Sequence, residues 1–416
     1  MNISVQQKSK LISIAVFTAA PWWSAVVVLR ITSPAEKAGM HVIQGNQGPQ
    51  VSFDGIAEAD LIVIQRDFPR FWGDYRRVIN LAREAGKPVV YDLDDLLVEI
   101  PDEHSHKADY AGEMLAMLYA ILDADLVTAS SPNLQAYLAE VNPDSKLIHN
   151  YLDDSLWKLI SPKPVSSLDS RVTIGYMGGQ THQADLEFIK HSLLNLSNKY
   201  PDKVNFKFWG TRPPAELLDL PSTKWEAVNF ENYAQFASYF SQQECDIFIA
   251  PLVNNEFNSS KSSIKFLEYS SLGIPGVYSN LPPYKTIIEH GKNGFLADDP
   301  GEWESHLSTL IDDPELRHQI GRAAQRTVND GWLLSENYSR LSDVYQLALE
   351  GRELTAKYET DHKPLMSILS HAEEYQSGLE DRIFAANNQL NEIHSSRSWK
   401  LLKQLQKIRL KVVPKQ

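Results

Sequence analysis

A cluster of carboxylates follows the short apolar run Pro88–Tyr91, in the order Asp92-Leu93-Asp94-Asp95. The run is predicted to be a strand of a parallel sheet, and such sheets bind ligands at the carboxyl ends of their strands. Three carboxylates are therefore expected to point into a cleft there, where they can orient a hydroxyl group or stabilise developing charge. Asp94 and Asp95 are the candidate catalytic residues, and the alternative is that one of them caps a helix.

A second candidate site begins the predicted helix Ser263–Ser271. The backbone amides of Ser262, Ser263 and Ile264 stand at its N-terminus, where unpaired N–H groups and the helix dipole can hold a diphosphate. The run Asp246–Pro251 before this segment is predicted to be a buried strand. The sequence therefore places the helix N-terminus at a strand end as well.

Other residues near these segments are suited to contact a phosphate. Lys261 and Lys265 supply positive charge, with a solvated helix face as the alternative. Gly178 and Gly179 follow another predicted strand, and a glycine turn lets the backbone approach a phosphate closely. His182 comes three residues later and is either a binding residue or an ordinary turn residue.

The elements that must position these residues alternate between strand and helix. In the front half the pattern favours a doubly wound parallel sheet with three helices, the last capped by Ser131. The predicted strands are Leu11–Thr18, His41–Gln44, Leu61–Gln65, Pro88–Tyr91, Asp125–Ala129 and Lys146–His149. The predicted helices are Asp74–Glu84, Glu113–Leu122 and Pro132–Val141.

The back half repeats the alternation after a stretch rich in proline and serine, Ser161–Ser170. Its predicted strands are Arg171–Tyr176, Val204–Trp209, Lys224–Phe230, Asp246–Pro251 and Gly276–Ser279. Its predicted helices are Glu187–Asn198, Tyr233–Gln242, Ser263–Ser271, Trp303–Ile311 and Pro314–Val328. The sequence therefore predicts an α/β protein with two Rossmann-like domains, 1–160 and 171–332, joined by a linker at 161–170 and facing each other across a cleft. A helical extension, 333–416, follows them.

Length and composition exclude several classes of protein. A chain of 416 residues fits two domains, and its net charge of −13 argues against nucleic-acid binding because phosphates would be repelled. The single cysteine, Cys245, excludes an internal disulfide and a multi-cysteine zinc site. A reducing cytoplasm suits this cysteine usage.

The apolar N-terminal run Leu11–Ala20 superficially resembles a signal peptide, and a second apolar run, Trp22–Leu29, follows it. Pro21 interrupts the stretch, and no small-residue cleavage pattern follows convincingly. A buried strand is therefore the favoured interpretation, and we expect the mature protein to start at or near Met1.

The last twenty residues, Arg397–Gln416, carry seven Lys or Arg and no acid, interleaved with apolar residues that include Trp399. A basic amphipathic helix of this kind is typical of a peripheral anchor on an anionic membrane surface. The alternatives are a solvated tail or a helix docked on a partner. The preceding segment, Glu373–His394, has a looser apolar stripe that allows a short coiled coil and hence a homodimer. The stripe consists of Leu379, Ile383, Leu390 and Ile393.

The segment from Asp246-Ile-Phe-Ile-Ala-Pro-Leu through Lys261-Ser-Ser-Ile-Lys-Phe-Leu-Glu268 to Gly273-Ile-Pro-Gly-Val resembles the donor-binding region of GT-B glycosyltransferases. It is most similar to the retaining family 4, or group 1, enzymes with an "E-x7-E" layout. The resemblance implies that Glu268, at the second glutamate, accepts hydrogen bonds from the ribose hydroxyls of a nucleotide. A carboxylate can accept from two vicinal hydroxyls at once.

Further landmarks extend this resemblance over roughly residues 11–330. Ile174-Gly-Tyr-Met-Gly-Gly resembles the first strand and glycine turn of the donor domain, and Ile148-His-Asn-Tyr-Leu-Asp resembles the end of the acceptor domain. The carboxylates Asp94 and Asp95 resemble a "DLDD" variant of bacterial polysaccharide glycosyltransferases. In that variant they take the place where related enzymes keep a His beside the reacting sugar.

The chain departs from the family pattern at three positions. Ser260 stands where the first glutamate is expected, and Gly179 replaces an Arg. The Lys expected about five positions after that Arg is missing as well. Because an uncompensated diphosphate is costly to bury, Lys261 and Lys265, with His182 nearby, are the expected substitutes for the two missing cations.

The function implied by the resemblance is the transfer of a sugar from a nucleotide-diphosphate sugar to a lipid-linked or glycan acceptor. The setting would be bacterial surface polysaccharide assembly, such as O-antigen, lipopolysaccharide or capsule, at the cytoplasmic face of the plasma membrane. Retention of configuration is implied by resemblance alone, and neither a metal nor a cofactor beyond the nucleotide sugar is expected. On the polar loop after the carboxylates, His104 and His106 are either an alternative base or solvated loop residues.

Two other functions compete with this one. The missing glutamate and cations favour a catalytically silent GT-B protein that serves as a binding or assembly subunit. A nucleotide-sugar epimerase of the same fold would need no acceptor. NAD-dependent oxidoreduction is disfavoured because no Gly-x-Gly-x-x-Gly follows either first strand.

Overall fold

The computed structural model of the protein describes residues 11–105, 107–162, 171–351 and 355–396. Its contacts divide the chain into two compact units, Met1–Asp361 and His362–Gln416. The first unit contains both large sheets and all of the candidate site residues. Residues 163–170 of the predicted linker, the predicted basic tail 397–416 and His106 lie outside the described residues, so the domain limits and the tail stay predictions.

The front half of the first unit forms a six-stranded parallel sheet and a small antiparallel hairpin. Its strands are β1 (Ser13–Thr18), β2 (His41–Gln44), β3 (Asn46–Gln47), β4 (Gln50–Val51), β5 (Leu61–Gln65), β6 (Val89–Leu93), β7 (Leu126–Ala129) and β8 (Ser145–Leu147). The large sheet has the order β2-β1-β5-β6-β7-β8, and β3 pairs with β4. Every residue of β5 and β6 is buried, because helices cover both faces of a parallel sheet, and this explains the continuous apolar runs.

Helices connect these strands. They are α1 (Ala25–Val27), a π-helical stretch Val28–Thr32, α2 (Ser33–Lys37), α3 (Gly55–Glu58), a 3₁₀ turn Phe68–Arg70, α4 (Trp72–Glu84), α5 (Lys107–Ala111), α6 (Met114–Asp123) and α7 (Pro132–Val141). The Ser131 side chain accepts a hydrogen bond from the amide of Leu134, as expected for an N-cap.

The back half forms a second six-stranded parallel sheet with the order β11-β10-β9-β12-β13-β14. Its strands are β9 (Val172–Gly178), β10 (Val204–Gly210), β11 (Thr223–Glu226), β12 (Ile247–Ala250), β13 (Gly276–Ser279) and β14 (Phe295–Ala297). The predicted architecture of two doubly wound sheets is therefore confirmed. The sequence did not predict β14, whose three residues are too short to show an apolar run.

The back half contains many helices, and the last of them is the longest. They are a 3₁₀ turn Gln180–His182, α8 (Gln183–Phe188), α9 (Lys190–Lys199), α10 (Ala215–Leu218), α11 (Tyr233–Phe240), α12 (Glu256–Ser259), α13 (Ile264–Ser271), α14 (Pro282–Lys285), α15 (Pro300–Asp312), α16 (Pro314–Asn329), α17 (Leu334–Asn337), α18 (Ser339–Glu350) and α19 (Thr355–Ser395). The predicted helix Glu187–Asn198 is in fact two helices, because the chain leaves helical geometry at Ile189. None of the described helices is both long and apolar enough to cross a membrane.

Each sheet has a point at which the chain reverses its direction of growth. The chain runs from β1 to β2 and then returns to place β5 on the other side of β1, and in the second sheet it places β12 on the other side of β9. Loops that leave adjacent strands on opposite sides open a crevice at such a point. The crevices therefore lie after β1 and β5 in the first sheet and after β9 and β12 in the second.

A close contact between α13 and α16 supports the second sheet. A Cβ atom added at Gly321 of α16 would collide with the carbonyl oxygen of Gly273, directly after α13, and would lie 3.3 Å from Cδ of Pro275. Gly273 has a φ of +66°, which ends the helix in the left-handed region that glycine favours. The glycine at 321 thus allows the two helices to approach.

We expect Gly321→Ala to lower the free energy of unfolding by about 1–3 kcal/mol, because the methyl group overpacks this contact. Gly73→Ala in α4 is the matched control, since a Cβ there meets no atom within 4 Å and alanine has the higher helix propensity. Urea denaturation of both variants tests the contact. Equal midpoints for the two variants would contradict it.

Candidate functional site

The first carboxylate of the Asp92-Leu-Asp94-Asp95 segment does not reach the cleft, contrary to the prediction. Asp92 is 2% exposed and forms a buried ion pair with Arg30, at 2.6 Å between Oδ1 and Nη2. The hydroxyl of Thr128 donates to the same oxygen at 2.7 Å. Asp92 is the last polar position inside a strand buried on both faces, so its charge has to be neutralised within the protein.

The other two carboxylates meet the guanidinium of Arg66 at the end of β5. Arg66 forms an ion pair with Asp94, and its Nη1 lies 3.6 Å from Oδ2 of Asp95. Burial raises the pKa of Asp94 to about 6, although Arg66 opposes this shift. Burial also acts to raise the pKa of Asp95, but Lys261 and Arg66 outweigh it and hold the pKa below its usual value.

Lys261 brings the second sheet to these carboxylates. Its Nζ lies 3.8 Å from Oδ1 of Asp95 and 4.4 Å from the centroid of the Phe257 ring. Two hydrogen bonds join the loop before α13 to the segments that follow β7 and β8. Ser131 donates to the carbonyl of Ser260 at 2.6 Å, and Asn150 donates to the hydroxyl of Ser262 at 3.0 Å. The loop before α13 is therefore held against the carboxyl edge of the first sheet.

His182 belongs to a hydrogen-bonded pair in the same crevice. Its Nδ1 lies 2.7 Å from Oδ2 of Asp185, and the other oxygen of Asp185 accepts from the amide of Val253 at 2.7 Å and from Asn258 at 3.2 Å. Burial, together with the nearby charge of Lys265, lowers the pKa of His182 to about 4. The imidazole is therefore neutral at pH 7, with Nδ1 held by the carboxylate.

A cavity of about 390 Å³ opens beside this pair. Its lining combines the loop that follows the first-sheet carboxylates with the loops after β9 and β12. Representative lining residues are Glu103, His104, His182, Asn254, Phe257 and Lys261. Its lining includes both acidic and basic side chains, and its volume lies in the range of small-molecule sites.

Glu268 lies one turn after the N-terminus of α13. It is 4% exposed, and its Oε1 accepts from the hydroxyl of Tyr233 at 2.9 Å, which in turn accepts from Trp157 at 2.9 Å. Burial raises the pKa of Glu268 to about 7, against the opposing effects of Lys265 and Tyr233. Burial also lowers the pKa of Lys265 to about 8. A carboxylate and an ammonium thus share one poorly solvated region.

The glycine turn after β9 has the open surface that its sequence suggested. A Cβ atom at Gly179 would meet nothing within 4 Å, whereas one at Gly178 would collide with the ring of Tyr176. The carbonyl of Gly178 accepts from the amide of Thr211 at 2.8 Å. The turn is therefore anchored to β10 on one side and accessible on the other.

The structure brings most of the predicted site residues into one crevice and adds others that the sequence analysis missed. Electrostatic contacts link Asp94, Asp95, His182, Lys261, Lys265 and Glu268. Ser262 and Ser263 follow Lys261 and line a cavity with it, and Gly178 and Gly179 lie at the carboxyl end of β9. The missed residues are Arg66, Tyr233 and Asp185. Arg66 directly follows a predicted strand, which is a signal that could have identified it. Asp185 follows His182 at a spacing of three, whereas no local signal points to Tyr233.

No group of three or more His, Cys, Asp or Glu side chains in the described ranges is placed to hold a metal ion. The predicted metal independence of the reaction stays a prediction. The roles assigned to the individual site residues are predictions of the same kind.

Comparison with known proteins identifies the second sheet. Residues 171–313 match the family model of the group 1 glycosyl transferases. The whole arrangement of two sheets matches solved structures that cover about four-fifths of the chain. One is Anabaena HepE in complex with UDP-glucose, at 16% identity and a TM-score of 0.57, with 81% of this chain and 100% of that chain covered. The chain has the GT-B fold, and we call residues 171–313, which match this family model, the group 1 domain.

The chain is also similar to two other proteins, one in fold and one in part of its sequence. The sucrose-phosphate synthase of Thermosynechococcus elongatus has a TM-score of 0.59 at 12% identity, with 82% of this chain and 100% of that chain covered. The D-inositol 3-phosphate glycosyltransferase of Thermobispora bispora is 32% identical over 108 residues, which are 25% of this chain and 24% of that enzyme. The chain therefore matches about a quarter of the length of this curated relative. At these identities the solved structures establish the fold of the chain alone.

The raised pKa of Glu268 predicts a pH-dependent stability. A carboxyl whose pKa is raised to about 7 in the folded chain destabilises that chain as pH rises from about 4.3, its ordinary value, through 7. Glu268→Gln keeps an oxygen for Tyr233 and removes the charge. We expect its free energy of unfolding to exceed that of the wild type by about 1–2 kcal/mol at pH 8 and to equal it near pH 4.

Urea denaturation between pH 4 and pH 8 measures this difference in the absence of ligand. Glu256→Gln, which changes an exposed glutamate of α12, is the control and should stay within about 0.5 kcal/mol of the wild type. A stability difference for Glu268→Gln that does not vary with pH would refute the raised pKa.

Proposed function

We propose that this protein is a glycosyltransferase that moves a sugar from a nucleotide-diphosphate sugar to a hydroxyl acceptor. The observation that carries the proposal is the crevice of the group 1 domain, where Lys261, Lys265 and the N-terminus of α13 surround the space above Glu268. Two lysines and a set of free amides can balance a diphosphate in a partly closed site. The buried glutamate supplies an acceptor for the ribose hydroxyls.

The residues divide into two roles in the proposed reaction. On the group 1 domain, Lys261, Lys265 and the amides of Ser262 and Ser263 would stabilise the charge that gathers on the leaving diphosphate. A diphosphate beside Lys265 would also favour its charged form, which burial otherwise disfavours. The leaving group thus gains its strongest stabilisation when its bond to the sugar breaks, as catalysis requires.

On the first domain, Asp94 and Asp95 would act on the sugar and the acceptor. They lie at the carboxyl end of β6, opposite Lys261, so the anomeric carbon of a donor held by Lys261 would face them. A carboxylate there can orient the acceptor hydroxyl or stabilise an oxocarbenium-like transition state. The neutral His182 would contribute a hydrogen-bonding nitrogen to the donor sugar, with its ring oriented by Asp185.

The finer parts of the proposal concern the nucleotide, the acceptor, the location and the stereochemistry. The similar Anabaena structure contains UDP-glucose, which makes UDP the first nucleotide to test. A lipid-linked or glycan acceptor of bacterial surface polysaccharide follows from the family resemblance. A peripheral position at the inner face of the plasma membrane and a homodimer follow from the sequence of the helical extension. Retention of configuration follows only from the family resemblance, because Ser260 replaces the first glutamate.

A catalytically silent binding subunit is the second candidate function. The buried Ser260, at 0% exposure, favours it because no carboxylate stands there to contact the donor sugar. Both functions predict nucleotide binding, but only the enzyme turns substrate over.

We expect Glu268→Ala to weaken UDP binding roughly tenfold, through the loss of charge-assisted hydrogen bonds to the ribose. Calorimetric titration with UDP and with 2′-deoxy-UDP tests the contact itself. The wild type should bind the deoxy nucleotide more weakly than UDP, whereas Glu268→Ala should bind both equally. An equal preference for UDP in both proteins would place the ribose elsewhere.

A screen of UDP, GDP, CDP and dTDP by thermal shift precedes that titration. A ligand at a hundred times its dissociation constant adds about 2.7 kcal/mol of stability, so a binding nucleotide should raise the melting temperature clearly. If none of the four raises it, the proposed donor site is wrong.

The double variant Asp94→Asn, Asp95→Asn should reduce turnover of the nucleotide sugar by at least about a hundredfold, since electrostatic groups of this kind typically contribute that much. Asp54→Asn, at an exposed position of the first domain, is the control and should retain full turnover. Release of the nucleotide diphosphate measures the rate, and the melting temperature checks folding. Unchanged turnover would exclude these aspartates from the reaction, and no turnover by any wild-type preparation would favour the silent subunit.

A further inference from the structure

Asp95 is shared between the two halves of the crevice. One of its oxygens, Oδ2, lies 3.6 Å from the guanidinium of Arg66, and the other, Oδ1, lies 3.8 Å from the ammonium of Lys261. Arg66 and Asp95 belong to the first domain, whereas Lys261 belongs to the group 1 domain. Asp95 is therefore the carboxylate that neutralises Lys261 across the cleft.

This cross-cleft pair is loose enough to exchange. The side chains of Lys261 and Asp95 are 17% and 26% exposed, and their charged atoms stand beyond hydrogen-bond distance. A diphosphate presents more negative charge than one carboxylate and several oxygens in place of two. A nucleotide diphosphate at the N-terminus of α13 therefore competes directly with Asp95 for Lys261.

Arg66 is held in a position where it can retain Asp95 after the ion pair between Asp95 and Lys261 breaks. Its backbone has a φ of +51°, which is uncommon for a residue other than glycine and is often found at functional sites. Its carbonyl accepts from the hydroxyl of Tyr91 at 2.6 Å, and its amide donates to the carbonyl of Asp92 at 2.9 Å. These bonds fix Arg66 at the end of β5, where its several donors serve Asp94 and Asp95 together.

We infer that Asp95 is an internal counter-anion of Lys261, which the diphosphate of the donor displaces, and that Arg66 retains the displaced carboxylate in the cleft. The inference rests on the proposed function, because it requires that a nucleotide diphosphate binds at Lys261. It gives the reaction an order. The Oδ1 atom of Asp95 becomes free to meet an acceptor hydroxyl only after the donor has bound.

The inference predicts that removal of the negative charge of Asp95 increases the affinity of the site for UDP. Asp95→Asn should tighten UDP binding about three- to tenfold, because Lys261 no longer has to leave a carboxylate, and partly exposed ion pairs have strengths of this order. The same substitution should increase the affinity for UMP, which lacks the second phosphate, by a smaller factor. In the Lys261→Met background, Asp95→Asn should have no effect on UDP binding, since the pair is already broken.

Asp94→Asn is the matched control. It removes the same charge from the adjacent position, but in the described part of the chain Asp94 pairs with Arg66, whereas the carboxylate paired with Lys261 is that of Asp95. Calorimetric titration of UDP and UMP into the wild type, Asp94→Asn, Asp95→Asn, Lys261→Met and the double variant Asp95→Asn, Lys261→Met gives the complete cycle. The selective tightening of UDP by Asp95→Asn, absent in the Lys261→Met background, is the expected result.

Three results would overturn the inference. The first is an unchanged or weaker affinity of Asp95→Asn for UDP, and the second is an equal gain for Asp94→Asn, which would reflect general charge alone. The third is a gain that persists in the Lys261→Met background. Each of these leaves nucleotide binding intact and so leaves the proposed function standing. Failure of both the wild type and Asp95→Asn to bind UDP, GDP, CDP or dTDP would instead overturn the proposed function and this inference together.

Discussion

The buried ion pair between Arg30 and Asp92 holds the part of the first sheet on which the candidate site depends. Both side chains are 2% exposed, so removal of either partner would leave an unpaired charge in the interior, at a typical cost of several kcal/mol. Asp94 and Asp95 follow Asp92 within three residues. The ion pair that fixes Asp92 at the end of β6 therefore also fixes the position of these two carboxylates. The same guanidinium contacts Asn150 at 3.2 Å, and Asn150 reaches the α13 loop through Ser262.

Charge in the crevice is balanced before any ligand arrives. Arg66 forms an ion pair with Asp94, Lys261 forms one with Asp95, and Lys265 lies near the carboxylate of Glu268. If a diphosphate binds as proposed, it would not simply fill an empty basic pocket, as it would in a site with unpaired Arg and Lys residues. It would exchange partners within this network of ion pairs, and the binding of one substrate would then depend on groups that face the other. This balance also suits a protein whose net charge is −13.

Much of the fold could be predicted because local sequence carries its signals. The central strands of both sheets are buried on two faces, so they appear as short continuous apolar runs between amphipathic helices. The site was partly predictable from local sequence as well, since Asp94 and Asp95 follow a strand end and Lys261 directly precedes the N-terminus of a predicted helix. The prediction that Asp92 points into the cleft was wrong, because its partner Arg30 lies 62 residues away in the chain and no local sequence pattern indicates their ion pair. Glu268 was found through the family resemblance, but its bond to Tyr233 was not.

The sequence by itself determined the succession of strands and helices, and with it the two parallel sheets and the segments that end at their ligand-binding edges. Periodicity and turn residues act over a few positions, so this information is local. Only the tertiary structure decided which charges meet: Arg30 with Asp92, Arg66 with Asp94, and Lys261 with Asp95 across the cleft. An ion pair depends on the distance between two side chains and on their burial, and both quantities arise only when distant segments pack together.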